Sequence, residues 1–441
     1  MKKSVLILFS LCSFLGLAAQ ENLDYFLPHD LSYRQDIPAP DDYFGQPIGE
    51  WHLTHGQVLN YFREIAGISE RAILQEYARS HENKPLVQLI FTSVENHEKL
   101  DELRTLHLQY SEPGTDLSPA DVPLVIRLGY GVHGNESSAT NSSVLTAYYL
   151  AAAQGEEMDS LLRSCIILVD PCLNPDGYSR HTTWANTYQS AVANGDANSR
   201  QFREPWPRGR SNHYWFDLNR DYLPIVHPES RGRIREFHDW LPNIVTDHHE
   251  SSPDFSFFFQ PGIPSRNNPL IPDQNYTLTS AIARYHARYL DEIGSDYFSE
   301  EVFDDYYFGK GSTYPDVNGS VGILFEQSSI RGRIRETDNG PKSLSFGIRN
   351  QFTVSLSTLR AGLDLRSELL EYQKEFYQNA MEEARGSEVK AYLFGNLADR
   401  VKTAAFVRFL SQHHIRVHAT GEASGFLVPV EQKTYRLIRT I

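Results

Sequence analysis

The stretch that indicates the fold reads VPLVIRLGYGVHGNE, residues 122–136, where an apolar run leads directly to a His and a Glu. Residues 122–128 are apolar and β-branched, which is typical of a strand buried in a sheet. A helical pattern then runs from Ser137 to Ala153. A buried strand followed by a helix is the repeating unit of α/β folds with parallel strands.

The same unit recurs along the chain. Further strand-like segments lie at 71–77, 86–92, 164–169, 243–246 and 322–325. Helical patterns alternate with them at 55–65, 96–108, 229–241, 278–293 and 344–385, with a long polar loop expected at 178–216. This alternation predicts an α/β fold with a mixed, largely parallel central sheet flanked by helices.

The N-terminus has the features of a signal peptide. Lys2 and Lys3 precede an apolar run, and two alanines then supply small residues just before Gln20. This order of charge, apolar run and small residues is typical of a secretory leader. We therefore expect residues 1–19 to be removed and the protein to be exported, to the periplasm or the extracellular space.

The rest of the chain divides into three predicted parts. Residues 20–52 are a Pro- and Tyr-rich extended lead-in, residues 53–386 form the main α/β domain, and residues 387–441 form a small α/β unit. Because the chain stops at Ile441 without a polar tail, we expect this last unit to be truncated and the natural chain to continue.

Composition excludes several classes of protein. The chain has 441 residues and a net charge of −15, which disfavours nucleic acid and anionic membranes as partners. No later stretch is long and apolar enough to span a membrane. Cys165 and Cys172 flank an extended strand of about 23 Å, so we expect neither a disulfide nor a cysteine-based zinc site.

Polar, chemically capable side chains follow four of the predicted strands. They are His133 and Glu136, the Asn-Pro-Asp-Gly run at 174–177, the Asp-His-His-Glu run at 247–250, and Glu326. In open α/β sheets, ligands bind beyond the C-terminal ends of the strands. The four clusters therefore predict one common cleft.

Each of these residues has a structural alternative. His133 and Glu136 are both good zinc ligands, but a Glu at the start of a helix also favours the helix dipole. His249 is either a ligand or a hydrogen-bonded structural residue, and His248 points to the opposite face of its strand. Glu326 lies at the end of a buried strand, where a carboxylate is costly unless it is functional or paired in a salt bridge. Arg331 and Arg333 are the candidate partners.

Residues 210–220 are rich in side chains that donate hydrogen bonds, including Arg210, Asn219 and Arg220. An Arg binds a carboxylate through two parallel hydrogen bonds, and an Asn adds further donors. A solvated polar loop is the alternative interpretation of this segment.

In their order along the chain, five motifs resemble those of the zinc carboxypeptidases of the carboxypeptidase A and B type. They are His133-x-x-Glu136, Asn-Pro-Asp-Gly at 174–177, Asp-Leu-Asn-Arg at 217–220, Asp-His-His at 247–249, and Phe325-Glu326. The resemblance covers roughly residues 50–385 and rests on the combination of motifs, since no single one is specific.

The resemblance implies roles for individual residues. It implies one zinc ion per chain, with His133, Glu136 and His249 as its ligands. Glu326 is then the general base, and Asn219 and Arg220 hold the terminal carboxylate of the substrate. Asp217 is implied to orient a zinc-bound His. Arg210 is implied to polarise the scissile carbonyl, with Arg203 and Arg208 as alternatives. Tyr314 is implied to contact the substrate, with Tyr306 and Tyr307 as alternatives.

The resemblance also implies a reaction. A zinc metallocarboxypeptidase hydrolyses the last peptide bond of peptides with a free C-terminus, using a water activated by zinc and Glu326. The alternative within the same chemistry is a related zinc amidase acting on cell-wall stem peptides or acyl-amino acids. A catalytically silent zinc- or peptide-binding module is the alternative from another class. A serine hydrolase is disfavoured because the sequence has no G-x-S-x-G motif.

Overall fold

A computed structural model describes residues 22–395, 398–421 and 425–441, so the predicted signal peptide lies outside the described residues. The helices are α1 Pro40–Phe44, α2 His55–Ile68, α3 Val94–His97, α4 Leu100–Tyr110, α5 Ser137–Ala152, α6 Glu156–Ser164, α7 Pro175–Tyr188, α8 Pro228–Trp240, α9 Asp273–Glu292, α10 Leu344–Asp364, α11 Arg366–Gly386, α12 Arg400–Gln412 and α13 Tyr435–Ile438.

The strands are β1 Ala72–Arg79, β2 Pro85–Phe91, β3 Leu124–Tyr130, β4 Cys165–Asp170, β5 Ile244–Ser251, β6 Phe257–Phe259, β7 Tyr297–Phe298, β8 Val321–Ser328, β9 Ile334–Thr337, β10 Gly340–Ser343, β11 Ala391–Phe394, β12 His418–Ala419 and β13 Phe426–Pro429. No helix in the described part of the chain is long and apolar enough to cross a membrane.

An eight-stranded sheet with the order β1-β2-β4-β3-β5-β8-β6-β7 forms the centre of the fold. Its middle strands β4, β3, β5 and β8 are parallel neighbours. Strands β1, β2 and β6 pair antiparallel with their inner neighbours, and β7 pairs parallel with β6. The predicted mixed, largely parallel sheet is therefore confirmed.

Strand β3 shows why the sheet is covered on both faces. Every residue of this strand is buried. On one face the Tyr130 hydroxyl lies 3.1 Å from Thr146 Oγ1 of α5 and 2.7 Å from Ser355 Oγ of α10. On the other face Arg127 bonds to Asp170 and to the carbonyl oxygen of Arg233 in α8. A continuous apolar run is stable only between two such layers of helices.

Two of the differences from the sequence-based prediction concern helices. The helical pattern at 344–385 is broken at Leu365 into α10 and α11. Helix α7 occupies the first part of the segment expected to be a loop. This helix begins because the Asn174 side chain accepts the Gly177 N–H at 3.0 Å and Pro175 occupies the first helical position. Its polar composition concealed the helical period in the sequence.

The C-terminal residues pack against the main sheet domain. Strands β11, β13 and β12 form a separate three-stranded sheet. Leu437 is fully buried, and Arg436 donates to the Phe376 carbonyl oxygen of α11 at 3.2 Å.

The described part of the lead-in, from residue 22 onward, contains α1 and contributes Ile37 and Ile48 to the core. The division after residue 386 stays a prediction. Cys165 and Cys172 are free and buried.

Candidate metal centre

The turn after β3 depends on two glycines. Gly131 has φ +68°, a left-handed conformation that glycine adopts without strain. A Cβ at Gly134 would lie 2.0 Å from the Tyr178 backbone nitrogen at the start of α7. The turn that carries His133 and Glu136 therefore packs directly on the backbone of α7, which only glycine permits.

Three side chains converge beyond the ends of β3 and β5. His133 Nδ1 lies 2.9 Å from Glu136 Oε1, and His249 Nδ1 lies 2.8 Å from Glu136 Oε2. The two Nδ1 atoms are 3.0 Å apart. All three residues are buried, and their ligand-type atoms lie within 4.8 Å of one another. The structure thus brings together the three residues that the resemblance implies as ligands of one metal ion.

Each imidazole has a carboxylate at its other ring nitrogen. Asp217 Oδ1 lies 2.8 Å from His133 Nε2, and Asp247 Oδ1 lies 2.8 Å from His249 Nε2. A carboxylate at this position keeps the proton on Nε2 and leaves the Nδ1 lone pair free for a metal. No role for Asp247 was predicted from the sequence. Its signal was the spacing of two residues from His249, which puts both side chains on one face of β5.

The neighbouring charges keep the carboxylates ionised. Burial opposes ionisation of Glu136, but His133 and His249 outweigh it and hold the pKa of Glu136 well below its usual value. The pKa of Asp247 is likewise lowered, because His249 outweighs the effect of burial. Asp217 has a lowered pKa for the same reason, through its bond to His133. Three carboxylates around two imidazoles form an anionic pocket whose nitrogen and oxygen donors fit Zn²⁺.

Glu326 lies on β8 directly opposite His249 in the strand register. Burial, together with the nearby Glu136 and Asp247, raises its pKa to about 8, against the lowering effect of His249 and Arg210. Of the two arginines considered as structural partners, Arg333 pairs with Glu50 instead. Glu326 is therefore a partly exposed carboxyl group beside the triad, in an environment that favours proton uptake.

Among the three arginines considered, the structure brings Arg210 to the triad. Its Nη1 lies 3.2 Å from Glu136 Oε1, and its Nη2 lies 3.0 Å from Asp217 Oδ2. The side chain remains 44% exposed, so its guanidinium is accessible from the cleft. Arg203 bonds to Asn198 in the preceding loop.

Asn219 and Arg220 lie in different environments. Asn219 is buried; its Nδ2 donates to Asp247 Oδ2 at 3.0 Å, and its Oδ1 accepts the Gly311 N–H at 2.7 Å. Its amide is therefore engaged in holding Asp247 rather than free for substrate. Arg220 is exposed, and the Tyr307 hydroxyl donates to its carbonyl oxygen at 3.3 Å.

The structure does not bring Tyr314 to the triad. Tyr314 is fully buried, and its hydroxyl lies 2.9 Å from His238 Nε2 and 2.8 Å from His413 Nδ1. A phenol held in this way between α8 and the C-terminal residues is closed to substrate. Of the alternatives considered, Tyr307 is 42% exposed and contacts the segment that carries Arg220.

His248 points away from the triad, as the alternation of a strand requires. Its Nδ1 lies 2.7 Å from Gln351 Oε1, and its ring stacks on Tyr130 with centroids 4.4 Å apart. Burial lowers its pKa to about 3, so it is a neutral residue of the core.

Comparison with known proteins agrees with the motifs. Residues 58–268 match the family model of the zinc carboxypeptidases. No curated protein matches the chain significantly in sequence. Similar solved structures include a metallo-carboxypeptidase from Burkholderia cenocepacia, with 13% identity, a TM-score of 0.48 and coverage of 70% of this chain and 69% of that one.

Two others are a carboxypeptidase A from Helicoverpa armigera and a metallo-carboxypeptidase from Pseudomonas aeruginosa. The first has 15% identity, a TM-score of 0.48 and coverage of 74% of this chain and 76% of its own. The second has 14% identity, a TM-score of 0.45 and coverage of 71% and 68%. The family match includes His133, Glu136, Asp217 and His249. This segment, slightly less than half of the chain, is therefore similar to the zinc carboxypeptidases.

Proposed function

We propose that this protein is an exported zinc metallocarboxypeptidase that removes the C-terminal residue of peptides. The observation that carries the proposal is the convergence of His133, Glu136 and His249, with Glu326 opposite His249 in the strand register. Two His, one Glu and an open fourth position are the donor set of catalytic zinc. Zinc bound there would supply a Lewis acid and lower the pKa of a bound water to about 7.

Glu326 is the general base in this proposal. Its carboxylate accepts a proton from the attacking water and later delivers that proton to the leaving amine. Its pKa, raised mainly by burial, supports this exchange, because a group that titrates near neutral pH both gains and loses a proton readily. The strand register supports the assignment by holding the carboxyl group beside the ligands without dependence on a loop.

Arg220 and Arg210 bind the substrate in this proposal. The exposed guanidinium of Arg220 pairs with the terminal carboxylate, which makes the enzyme exo-acting. Arg210 donates to the oxygen of the scissile carbonyl as charge develops on it. Tyr307, beside Arg220, is the tyrosine that we propose closes over the substrate. Asn219 orients Asp247 instead of contacting substrate.

The proposal is tested by incubating the mature protein with zinc and defined peptides and following the products by mass spectrometry. We expect loss of single residues from free C-termini and no reaction with the same peptides carrying a C-terminal amide. Cleavage of cell-wall stem peptides alone would favour the amidase instead. Glu326→Gln serves as the control for contaminating peptidases. N-terminal sequencing of the exported protein should begin at Gln20.

A further inference from the structure

A second group of metal-binding side chains lies apart from the triad. Within the described residues, His81, His227 and Glu229 also bring ligand-type atoms to within 4.8 Å of one another. His81 is in the turn between β1 and β2, whereas His227 and Glu229 are at the start of α8. His81 Nε2 lies 3.1 Å from His227 Nδ1 and 4.0 Å from Glu229 Oε2.

Glu229 shows that this group is more than a surface cluster. The residue is fully buried, and its Oε1 accepts the His81 N–H at 3.4 Å. Its Oε2 faces His81 and has no hydrogen-bond partner in the part of the chain that the structure describes. A buried carboxylate oxygen without a partner has lost its hydration and gained nothing in exchange. Such an atom requires a cation or a donor that the neighbouring side chains do not supply.

We propose that His81 Nε2, His227 Nδ1 and Glu229 Oε2 bind a second zinc ion. Nitrogen and oxygen ligands of one tetrahedral zinc ion lie about 3.3–3.5 Å apart. The distances of 3.1 Å and 4.0 Å lie on either side of this value, so small rotations of the side chains suffice. Two imidazoles favour zinc over calcium or magnesium, which prefer oxygen ligands.

A hydrogen bond between the two imidazoles is the simpler explanation of the 3.1 Å contact. It accounts for His81 and His227 but leaves the Glu229 oxygen unpaired. A metal ion accounts for all three atoms. The imidazole of His81 is accessible to solvent, so a water molecule completes the coordination and the ion has an entry path.

The proposed ion would steady the segment that precedes α8. The ring of Phe216 packs on His227 with centroids 4.5 Å apart, and the His227 N–H donates to Asp221 Oδ2 at 3.0 Å. Asp217 and Arg220 lie between these two contacts in the chain. The ligands are separate from those of the first centre, so this inference does not rest on the proposed catalytic activity.

The test is the zinc content of the full chain, stripped of metal with a chelator, reloaded with zinc alone and measured by native mass spectrometry. We expect about two zinc ions in the unmodified chain and about one in His81→Gln. The matched control is His213→Gln, which should keep about two. His213 lies on the same surface, but its imidazole pairs with Glu82 at 3.0 Å and is not in the group.

His133→Ala separates the two centres. It should lose the other zinc ion, and the double variant with His81→Gln should bind none. Zinc should also raise the Tm of His133→Ala but not that of the double variant. Two zinc ions in His81→Gln, or a single ion in the unmodified chain that His133→Ala abolishes, would overturn the inference. A single ion that is lost in His81→Gln but not in His133→Ala would instead refute the first centre and support the second.

Discussion

His249 and Glu326 stand opposite each other on the adjacent parallel strands β5 and β8. Residues matched in the register of a sheet project from the same face. The backbone hydrogen bonds between the two strands therefore fix the separation of a candidate metal ligand and a candidate general base. Neither residue depends on a mobile loop for its position, which is the arrangement that catalytic groups require.

The first prediction concerns Glu326. Glu326→Gln preserves the shape of the side chain but removes its ability to accept a proton. We expect kcat to fall by about 10³-fold with zinc content unchanged. Peptide hydrolysis and metal analysis on the same sample check this, with the exposed Glu98→Gln as control. Undiminished turnover in Glu326→Gln would show that another group acts as base.

The second prediction concerns the two arginines. Arg220→Ala should lower kcat/KM by about 10²-fold, mainly through KM, because a charged pair with the substrate carboxylate is lost. Arg210→Ala should lower kcat instead, since it acts on charge that develops during the reaction. Steady-state kinetics on one peptide distinguish the two effects. An Arg220→Ala enzyme that still discriminates fully against amidated peptides would contradict this role.

The third prediction concerns Asp247, whose carboxylate lies at His249 Nε2. Asp247→Asn removes the charge that orients this imidazole and stabilises its bond to metal. Zinc affinity should fall by about 10–100-fold. Competition with a chromophoric chelator measures the affinity. Asp101→Asn, in an exposed ion pair on α4, is the matched control and should leave the affinity unchanged.

The fourth prediction concerns Gly134, where a methyl group would lie 2.0 Å from the Tyr178 nitrogen. Gly134→Ala forces the His133–Glu136 turn away from α7. We expect a loss of about 3 kcal/mol or more in the free energy of unfolding and weaker zinc binding. Gly67→Ala in α2, where a Cβ meets nothing within 4 Å, should instead stabilise by about 0.5–1 kcal/mol. Urea unfolding of both variants provides the comparison.

The fifth prediction concerns pH and His286, which is fully buried beside Ser357. Burial, and to a lesser extent His248, lowers its pKa to about 3, whereas the unfolded chain titrates near 6.5. Below pH 6.5 the unfolded state gains a proton that the folded state does not. Because of His286, the free energy of unfolding should therefore fall by about 2 kcal/mol between pH 7 and pH 5.

His286→Leu removes this titration. The difference in unfolding free energy between the original chain and this variant should shrink by about 2 kcal/mol from pH 7 to pH 5. Urea titrations at the two pH values, with and without zinc, measure it. If the unfolding free energies of the two proteins changed equally with pH, His286 would not be a buried group that stays neutral in the folded state.

The sequence by itself determined the central strands, the α/β class and the motifs that resemble those of the zinc carboxypeptidases. Buried parallel strands appear as continuous apolar runs, so β3, β4, β5 and β8 were recognisable from composition alone. The residues at their C-terminal ends, including His133, His249 and Glu326, were identifiable because such ends meet at one edge of the sheet. These are local or topological signals, and they do not depend on the course of the loops.

Only the tertiary structure decided which of several similar side chains enter the site. The proximity of Arg210 to the triad and the contact of Asn219 with Asp247 depend on the path of the segment from 189 to 220. The burial of Tyr314 depends on its packing between α8 and the C-terminal residues. The group of His81, His227 and Glu229 joins residues almost 150 positions apart. Irregular backbone carries no periodic pattern, so its contacts are fixed by packing against the finished sheet and helices.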